Sequence, residues 1–471
     1  MSSRAKKWLL FGVRWGIAVA GIWYVLSTMW FRDHVTAILA PGTPPVEVAL
    51  AAPAEETSGA FLVVDRHGEQ HQVDRQDVIN KPTRDKEKMV LADGTPAVIL
   101  GYDAKRDFAI ERVLVGSAAG EAGHWISPSQ IKGGRYVQIT RPRIEPGVIN
   151  MVRRANGWLL LAAVVIFPLC YIITAFRWHA FLKALDIHIG QGRTFVLNMV
   201  GAFYNSFMPG STGGDLLKAW YASQHTTHRA RAVISVLVDR VIGLLALIIL
   251  GAIMAAYEYF VIRGDPARAE VARACRKVAL GSGLIIAIVI GGLVVFYTPM
   301  LRKWTGLDFV LKRLPMQKHV HHAVEAMEIY GRRPWLAVGA LVITFPVHMT
   351  VVLSAMFAGM AFGLHINPAY YWVCVPVIVL VGAIPISPQG AGVMEVFAIQ
   401  LTKNQGASVS EAVALTMSIR MVQIFWNLTG GVFVFRGGYH APSTTEQQEM
   451  EADEAEDELL NPAASQAVTE G

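Results

Sequence analysis

The run Asn205-Ser-Phe-Met-Pro-Gly-Ser-Thr-Gly-Gly-Asp215-Leu-Leu-Lys218 interrupts a long apolar stretch, and a bilayer leaves such a run few ways to fold. Pro209 has no backbone donor, and Gly210, Gly213 and Gly214 open backbone angles closed to other residues, so a helix entering here breaks and the chain turns. In hydrocarbon a break is tolerated only where protein buries it or where it lines a watery cavity. The run therefore reads as the tip of a re-entrant helical hairpin. Its arms, Thr194 to Met208 and Leu216 to Ser223, are each too short to cross comfortably.

The same device recurs near the C-terminus, where Pro385-Ile-Ser-Pro-Gln-Gly-Ala-Gly392-Val-Met-Glu395 again follows prolines and glycines with an acid. At an offset of 180 residues Asp215 falls on Glu395 and Arg240 on Arg420, so each half sets acid and arginine 25 positions apart. Ile166-Phe-Pro168 and Thr344-Phe-Pro346, in the helices before the breaks, match at an offset of 178. Interrupted segments at corresponding places in two halves point to a binding site of the kind transporters build between internal repeats.

A chain of 471 residues that is 53% hydrophobic and only 17% charged, with a mean hydropathy of +0.39, is a polytopic membrane protein. Its net charge of +6 is carried by the body, because residues 441–471 hold nine acids and no Lys or Arg. The basic excess flanks apolar segments, and no soluble basic module suited to nucleic acid accompanies it. Cys170, Cys275 and Cys374 are scattered without metal or redox spacing.

Taken in order, Trp8 to about Phe31 follows Arg4, Lys6 and Lys7 and reads as a retained anchor over residues 1–31, with Arg14 snorkelling to the interface. Residues 32–152 form the one sizeable polar region: a Pro/Ala-rich linker, then alternating runs at Phe61–Val64, Met89–Leu91, Ala97–Leu100 and Tyr136–Ile139. Turn signals at His67-Gly68 and Asp93-Gly94 make this a small β domain outside the cytoplasm. Its histidines His67, His71 and His124 lack a recognised ligand spacing, and no metal or cofactor is expected. Residues 153–440 form the membrane domain, with repeats at about 157–262 and 335–436 and a linking span at 278–298. Arg177-Trp178 reads as a cytoplasmic interfacial flank. The basic loop 299–334 is placed inside, whereas Arg263–Lys277, with five basic residues against two acids, falls outside against the charge rule. Tyr370–Ile384 and Val393–Leu401 form the second hairpin, and residues 412–435 a sixth crossing. Six crossings put both termini inside, the single span between the halves inverts the second repeat, and the acidic tail 441–471 is disordered.

Charges at the bilayer centre cost about 2.5–3.5 kcal/mol on insertion scales, so Asp239, Arg240 and Arg420 must face protein or water. Asp215 and Glu395 are their natural partners, and an ion-paired scaffold is one reading of all five. The other is that Arg240 and Arg420, with Lys218, receive an anionic head group such as a lipid phosphate, helped by N–H groups at the breaks near Gly213 and Gly392. Arg420, Gln423 and Asn427 give the last helix a polar stripe, and His348 is either a proton relay or a histidine satisfied by a neighbouring hydroxyl. No Walker A loop, G-x-S-x-G elbow or H-E-x-x-H motif is present.

The motifs Arg177-Trp178, Asn205–Asp215, Ser235-Val-Leu-Val-Asp-Arg-Val-Ile-Gly-Leu244, Pro388-Gln-Gly-Ala-Gly-Val-Met-Glu395 and Arg420 resemble the lysylphosphatidylglycerol synthase transmembrane region, a flippase-like family of bacterial and archaeal integral membrane proteins. The likeness implies a domain that moves aminoacylated or other anionic lipids, polyprenyl-linked ones included, between leaflets. Two departures bear on that: the aminoacyl-transferase domain of the full-length synthases is absent, and residues 32–152 have no counterpart in the family pattern. The expectation is an all-α polytopic membrane protein with inverted repeats, two re-entrant helical hairpins and a small β-rich extramembrane domain. It sits in the bacterial cytoplasmic membrane and translocates an anionic lipid. The residues expected to line the path are Asn205, Pro209, Gly213, Gly214, Asp215, Lys218, Asp239 and Arg240, then Pro388, Gly390, Gly392, Glu395, Arg420, Gln423 and Asn427. The alternatives are an intramembrane lipid-modifying transferase using Asp215 or Glu395 as base, and an assembly factor whose β domain binds a protein or envelope partner.

Overall fold

The computed structural model describes residues 16–439, apart from 17–18, 28, 53, 55–57, 66, 81–86, 105–109, 118–121, 132–143, 208–212, 227–228, 265–267, 307–323, 325–329, 365, 385–386, 388–389, 406 and 438. The run at Tyr136–Ile139 and the tail 441–471 lie outside the described residues, as does most of the apolar segment before residue 19. The chain divides into two compact units, each discontinuous in sequence. Unit 1 holds residues 1–168, 247–286 and 348–423, and unit 2 holds 169–246, 287–347 and 424–471.

Unit 1 opens with a helix, α1 (residues 19–27), and continues into the β region. Strands β1 (His34–Ala37), β2 (Val46–Leu50), β3 (Ala60–Val64), β4 (Gln70–Asp74), β5 (Val78–Ile79) and β10 (Ile144–Glu145) make one antiparallel sheet in the order β10-β1-β2-β3-β4, with β5 also on β1. Strands β6 (Glu87–Val90), β7 (Pro96–Ala104), β8 (Ile110–Gly116) and β9 (His124–Ile126) make a second. Alternation decides which side chains go inside: Phe61, Val63 and Val73 turn into one core while Leu62 stays exposed. The turns stand where the sequence puts them, with Gly68 and Gly94 at φ 87° and 90°, where a side chain would be strained.

Among the described residues the remainder is mostly helical. The helices are α2 (Val148–Arg154), α3 (Gly157–Ile166), α4 (Leu169–Ala184), α5 (Gln191–Phe207), α6 (Gly213–Ser223), α7 (Arg229–Ile262), α8 (Ala269–Tyr297) and α9 (Pro299–Trp304). They are followed by α10 (Pro334–Ala361), α11 (Pro368–Ala383), α12 (Val393–Thr402), α13 (Val409–Thr429) and α14 (Gly431–Gly437). Among the described residues four segments are long and apolar enough to cross a membrane: Gly157–Ala184, Arg231–Ile262, Val271–Tyr297 and Pro334–Ala361. The two expected hairpins correspond to the pairs α5/α6 and α11/α12, whose members pack against each other. At 1.5 Å per residue, α6 and α12 are about 15–17 Å long, half of a hydrocarbon core.

Several details differ from the sequence reading. The basic stretch expected to be a loop up to Lys277 is helical from Ala269, so Arg273, Arg276 and Lys277 ride on the first turns of α8. The last helix is not continuous to residue 435: it ends at Thr429, and Gly431 starts α14. Gly430 there packs so closely on the Met199 backbone that a side chain would collide. The two matched prolines also part company. Pro168 separates α3 from α4, while Pro346 lies inside α10. Finally, Arg177 and Trp178 are not an exposed interfacial flank, since both are buried, at 5% and 0% exposure.

Candidate functional site

In unit 2, four helices converge on Asp239. Arg177 on α4 donates through Nε to Asp239 Oδ1 at 2.8 Å, through Nη2 to the Asp239 carbonyl at 3.2 Å, and through Nη1 to Thr344 Oγ1 of α10 at 2.8 Å. One planar guanidinium thus ties α4, α7 and α10 together. Trp178, the next residue, donates its indole N–H to Ser235 on α7 at 3.2 Å and turns its ring face to Lys218 Nζ, 4.4 Å from the ring centroid. Lys218 on α6 donates to Asn198 Oδ1 at 3.0 Å and lies 4.0 Å from Asp239 Oδ2. Arg177, Lys218 and Asp239 are each about 95% buried, and two cations face one carboxylate, so this cluster carries surplus positive charge.

One residue further along α7, Arg240 turns to the other acid of the first helix pair: its Nε stands 2.7 Å from Asp215 Oδ2, an ion pair without hydrogen-bond geometry. Asp215 sits in the first turn of α6, where the exposed N–H groups of a helix start favour negative charge. Asn205 near the end of α5 accepts the Gly214 N–H of α6 through Oδ1 at 2.9 Å. Gly214 has no room for a side chain, because a Cβ there would run into the Gly201 carbonyl of α5. Pro209 lies outside the described residues, and Gly213 is the half-buried first residue of α6.

The second helix pair, in unit 1, repeats the arrangement. Glu395 is in the first turn of α12, accepts the Gly392 N–H at 2.8 Å through Oε2, and accepts Arg420 Nη2 at 2.8 Å through Oε1. This bond from the N-cap N–H fixes the carboxylate at the start of its own helix. Gly390 and Gly392 hold φ of 70° and 80°, and Gly390 is pressed between Gly382 and Met394. Arg420 Nη2 also lies 3.6 Å from Met394 Sδ, while its Nε is buried without a partner, as is the Ser387 hydroxyl at the break. Pro388 lies outside the described residues.

The expected stripe on the last helix does not act as one group. Arg420 is ion-paired, Gln423 is exposed, and Asn427 accepts from the Tyr171 hydroxyl and donates to Ser206 Oγ at 2.8 Å. The sequence reading singled out Asp215, Arg240, Glu395 and Arg420, and the structure pairs them as Asp215 with Arg240 and Glu395 with Arg420. It missed that Asp239 belongs to Arg177.

Outside the helical part, Asp65, Glu69 and His71 bring one ligand atom each within 4.8 Å of one another at the β3–β4 turn. Asp65 is already engaged there. Burial raises its carboxyl, but N–H groups of Glu69 and His67 and the His71 ring outweigh that and hold it below the ordinary value.

Long apolar helices, and short helices that carry in their first turn an acid ion-paired to an arginine, define a multi-pass helical membrane protein. Residues 147–431 match the family described as the lysylphosphatidylglycerol synthase TM region, and the chain belongs to it. It is 21% identical over 311 residues to a UPF0104 membrane protein of Pyrococcus horikoshii, covering 61% of this chain and 90% of that one. A UPF0104 membrane protein of Methanothermobacter thermautotrophicus is 22% identical over 306 residues, covering 61% and 87%. The family match begins at Gly147, so α1 and the sheets before it lie outside the shared range.

Proposed function

We propose that this protein moves an anionic lipid between the leaflets of a bacterial cytoplasmic membrane. Two helix pairs, each broken at glycines and each holding a carboxylate–arginine pair, form the working parts of inverted repeats. The observation that carries the reading is the duplication of the pair: Asp215–Arg240 at 2.7 Å and Glu395–Arg420 at 2.8 Å, each acid in the first turn of the helix after a break. An arginine held by one carboxylate can exchange it for a phosphate or another carboxylate at low cost, because the planar fork serves either. The surplus cation beside Asp239 gives a passing anion a further reason to enter. The family takes its name from a synthase of an aminoacylated phospholipid, which supports a lipid as cargo.

The chemistry asked of the protein is exchange of partners, with no bond made or broken. Anion arrival weakens the carboxylate–arginine pair, the freed carboxylate stays in the first turn of its own helix, where the helix dipole favours it, and departure restores the pair. The test is reconstitution of the full chain into liposomes with a panel of labelled phospholipids. Arg240→Ala and Arg420→Ala should each slow transbilayer movement about tenfold or more, the kinetic equivalent of one charge-assisted hydrogen bond. Wild-type rates in both folded variants would remove the reading. Covalent change of a lipid instead of movement would favour a transferase.

A further inference from the structure

The two carboxylate–arginine pairs are not equally open. Arg240 and Asp215 are 34% and 20% exposed at their side chains, Arg420 and Glu395 only 15% and 2%. Helix α1 lies against the second. It turns Val19, Ile22, Trp23, Tyr24 and Leu26 outward and, among the described residues, packs through Gly21, Val25 and then Met29. At Gly21 the contact is backbone on backbone: an added Cβ would stand 2.6 Å from Gly392 Cα and 2.9 Å from its carbonyl carbon. Gly392 is the residue whose N–H caps Glu395, and Glu395 holds Arg420. At the offset of 180 residues Gly392 falls on Thr212, which lies outside the described residues; Gly214 of the first pair is packed by Gly201 of its own helix pair.

The far end of α1 is tied into the sheets. The Trp30 carbonyl accepts from Val148 N at 3.1 Å and from Ser410 Oγ at 3.3 Å. The Trp30 indole donates to Glu47 of β2 at 3.1 Å. Buried Asp33 accepts the Gly147 N–H at 2.8 Å, and β1 pairs with β10 at His34 and Glu145. A displacement of the sheet is therefore transmitted along α1 to the backbone contact at Gly392.

We propose that α1 is a strap that keeps the Glu395–Arg420 pair closed, and that the β region is the lever that releases it. This rests on the reading of that pair as part of the working site. It assigns the segment before residue 147 to regulation of one half of the molecule only.

The test uses the full chain in lipid nanodiscs and reads hydrogen exchange by mass spectrometry. Gly21→Leu cannot keep the backbone contact, and Asp33→Ala loosens the tie to Gly147 without touching α1 packing. Both should speed exchange in peptides covering 387–395 about tenfold, leaving peptides over 213–223 unchanged. Ile22→Val, on the outward face, should match wild type. In liposomes the same two variants should raise the rate of labelled-lipid movement. Unchanged exchange at 387–395 in both variants overturns the strap, and Asp33→Ala decides if Gly21→Leu does not fold. Faster exchange with an unaltered lipid rate overturns its regulatory role. If wild type moves no lipid at all, the translocation reading falls, while the exchange data still judge the strap.

Discussion

Arg177 is the side chain on which the first charge cluster turns, since one guanidinium serves Asp239 twice and Thr344 once. Taking it away leaves the Asp239 carboxylate buried opposite Lys218 Nζ at 4.0 Å, too far for a hydrogen bond. Breaking a buried pair from one side costs about 3–5 kcal/mol, because the surviving charge keeps its desolvation penalty. Arg177→Leu should therefore lower the midpoint of thermal unfolding in detergent by several degrees. Arg177→Leu combined with Asp239→Leu should recover more than half of the loss, since replacing both members by apolar groups is close to neutral. Lys218 makes the comparison informative: with Asp239 gone it keeps Asn198 and the Trp178 ring, so the double variant does not strand a second charge without contacts. A single variant that melts with the wild type would mean that the pair contributes nothing to stability.

At the scale of elements, the helix pairs depend on glycine for two separate reasons. Gly390 and Gly392 supply positive φ, whereas Gly214 supplies absence of volume, because α5 and α6 meet there backbone to backbone at Gly201. Gly214→Ala should thus separate α5 from α6 and cost at least the roughly 1–3 kcal/mol of an overpacked core. The expected result is reduced yield of folded protein and a lower melting point. Gly283→Ala on α8, where nothing lies within 4 Å of the added carbon, should leave both unchanged. Equal behaviour of the two variants would contradict the close approach. The breaks were legible in the sequence because Pro and Gly act locally, and so was the pairing of acid with arginine, because both halves keep the same spacing. Arg177 was not legible. Its position at the end of an apolar run fits an interfacial flank and a buried partner equally well, and only the packing of α7 against α4 decides. The start of α8 was misread for a related reason: a run of five basic residues suggests a loop, but Ala269, Ala272 and Ala274 form a helix readily and arginine is no obstacle to one.

For the whole molecule, the sequence offset of 180 and the matching pairs are the grounds for the proposed duplication, with copies inverted in the membrane. If they are, the segment leaving the first helix pair and the one leaving the second must face opposite sides. Gln224 follows α6 directly, and Gln405 follows α12 within one turn. Cys170, Cys275 and Cys374 are all buried, so the wild-type chain gives little background to a membrane-impermeant thiol reagent. Gln405→Cys should label on intact cells, whereas Gln224→Cys should label only after the membrane is opened. The basic residues His225–Arg231 beside Gln224 favour the cytoplasm for that position. Labelling of both positions from one side would make the halves parallel copies. Each carboxylate–arginine pair would then meet the same leaflet, and a site handed from one leaflet to the other would lose its geometric basis even with both ion pairs intact.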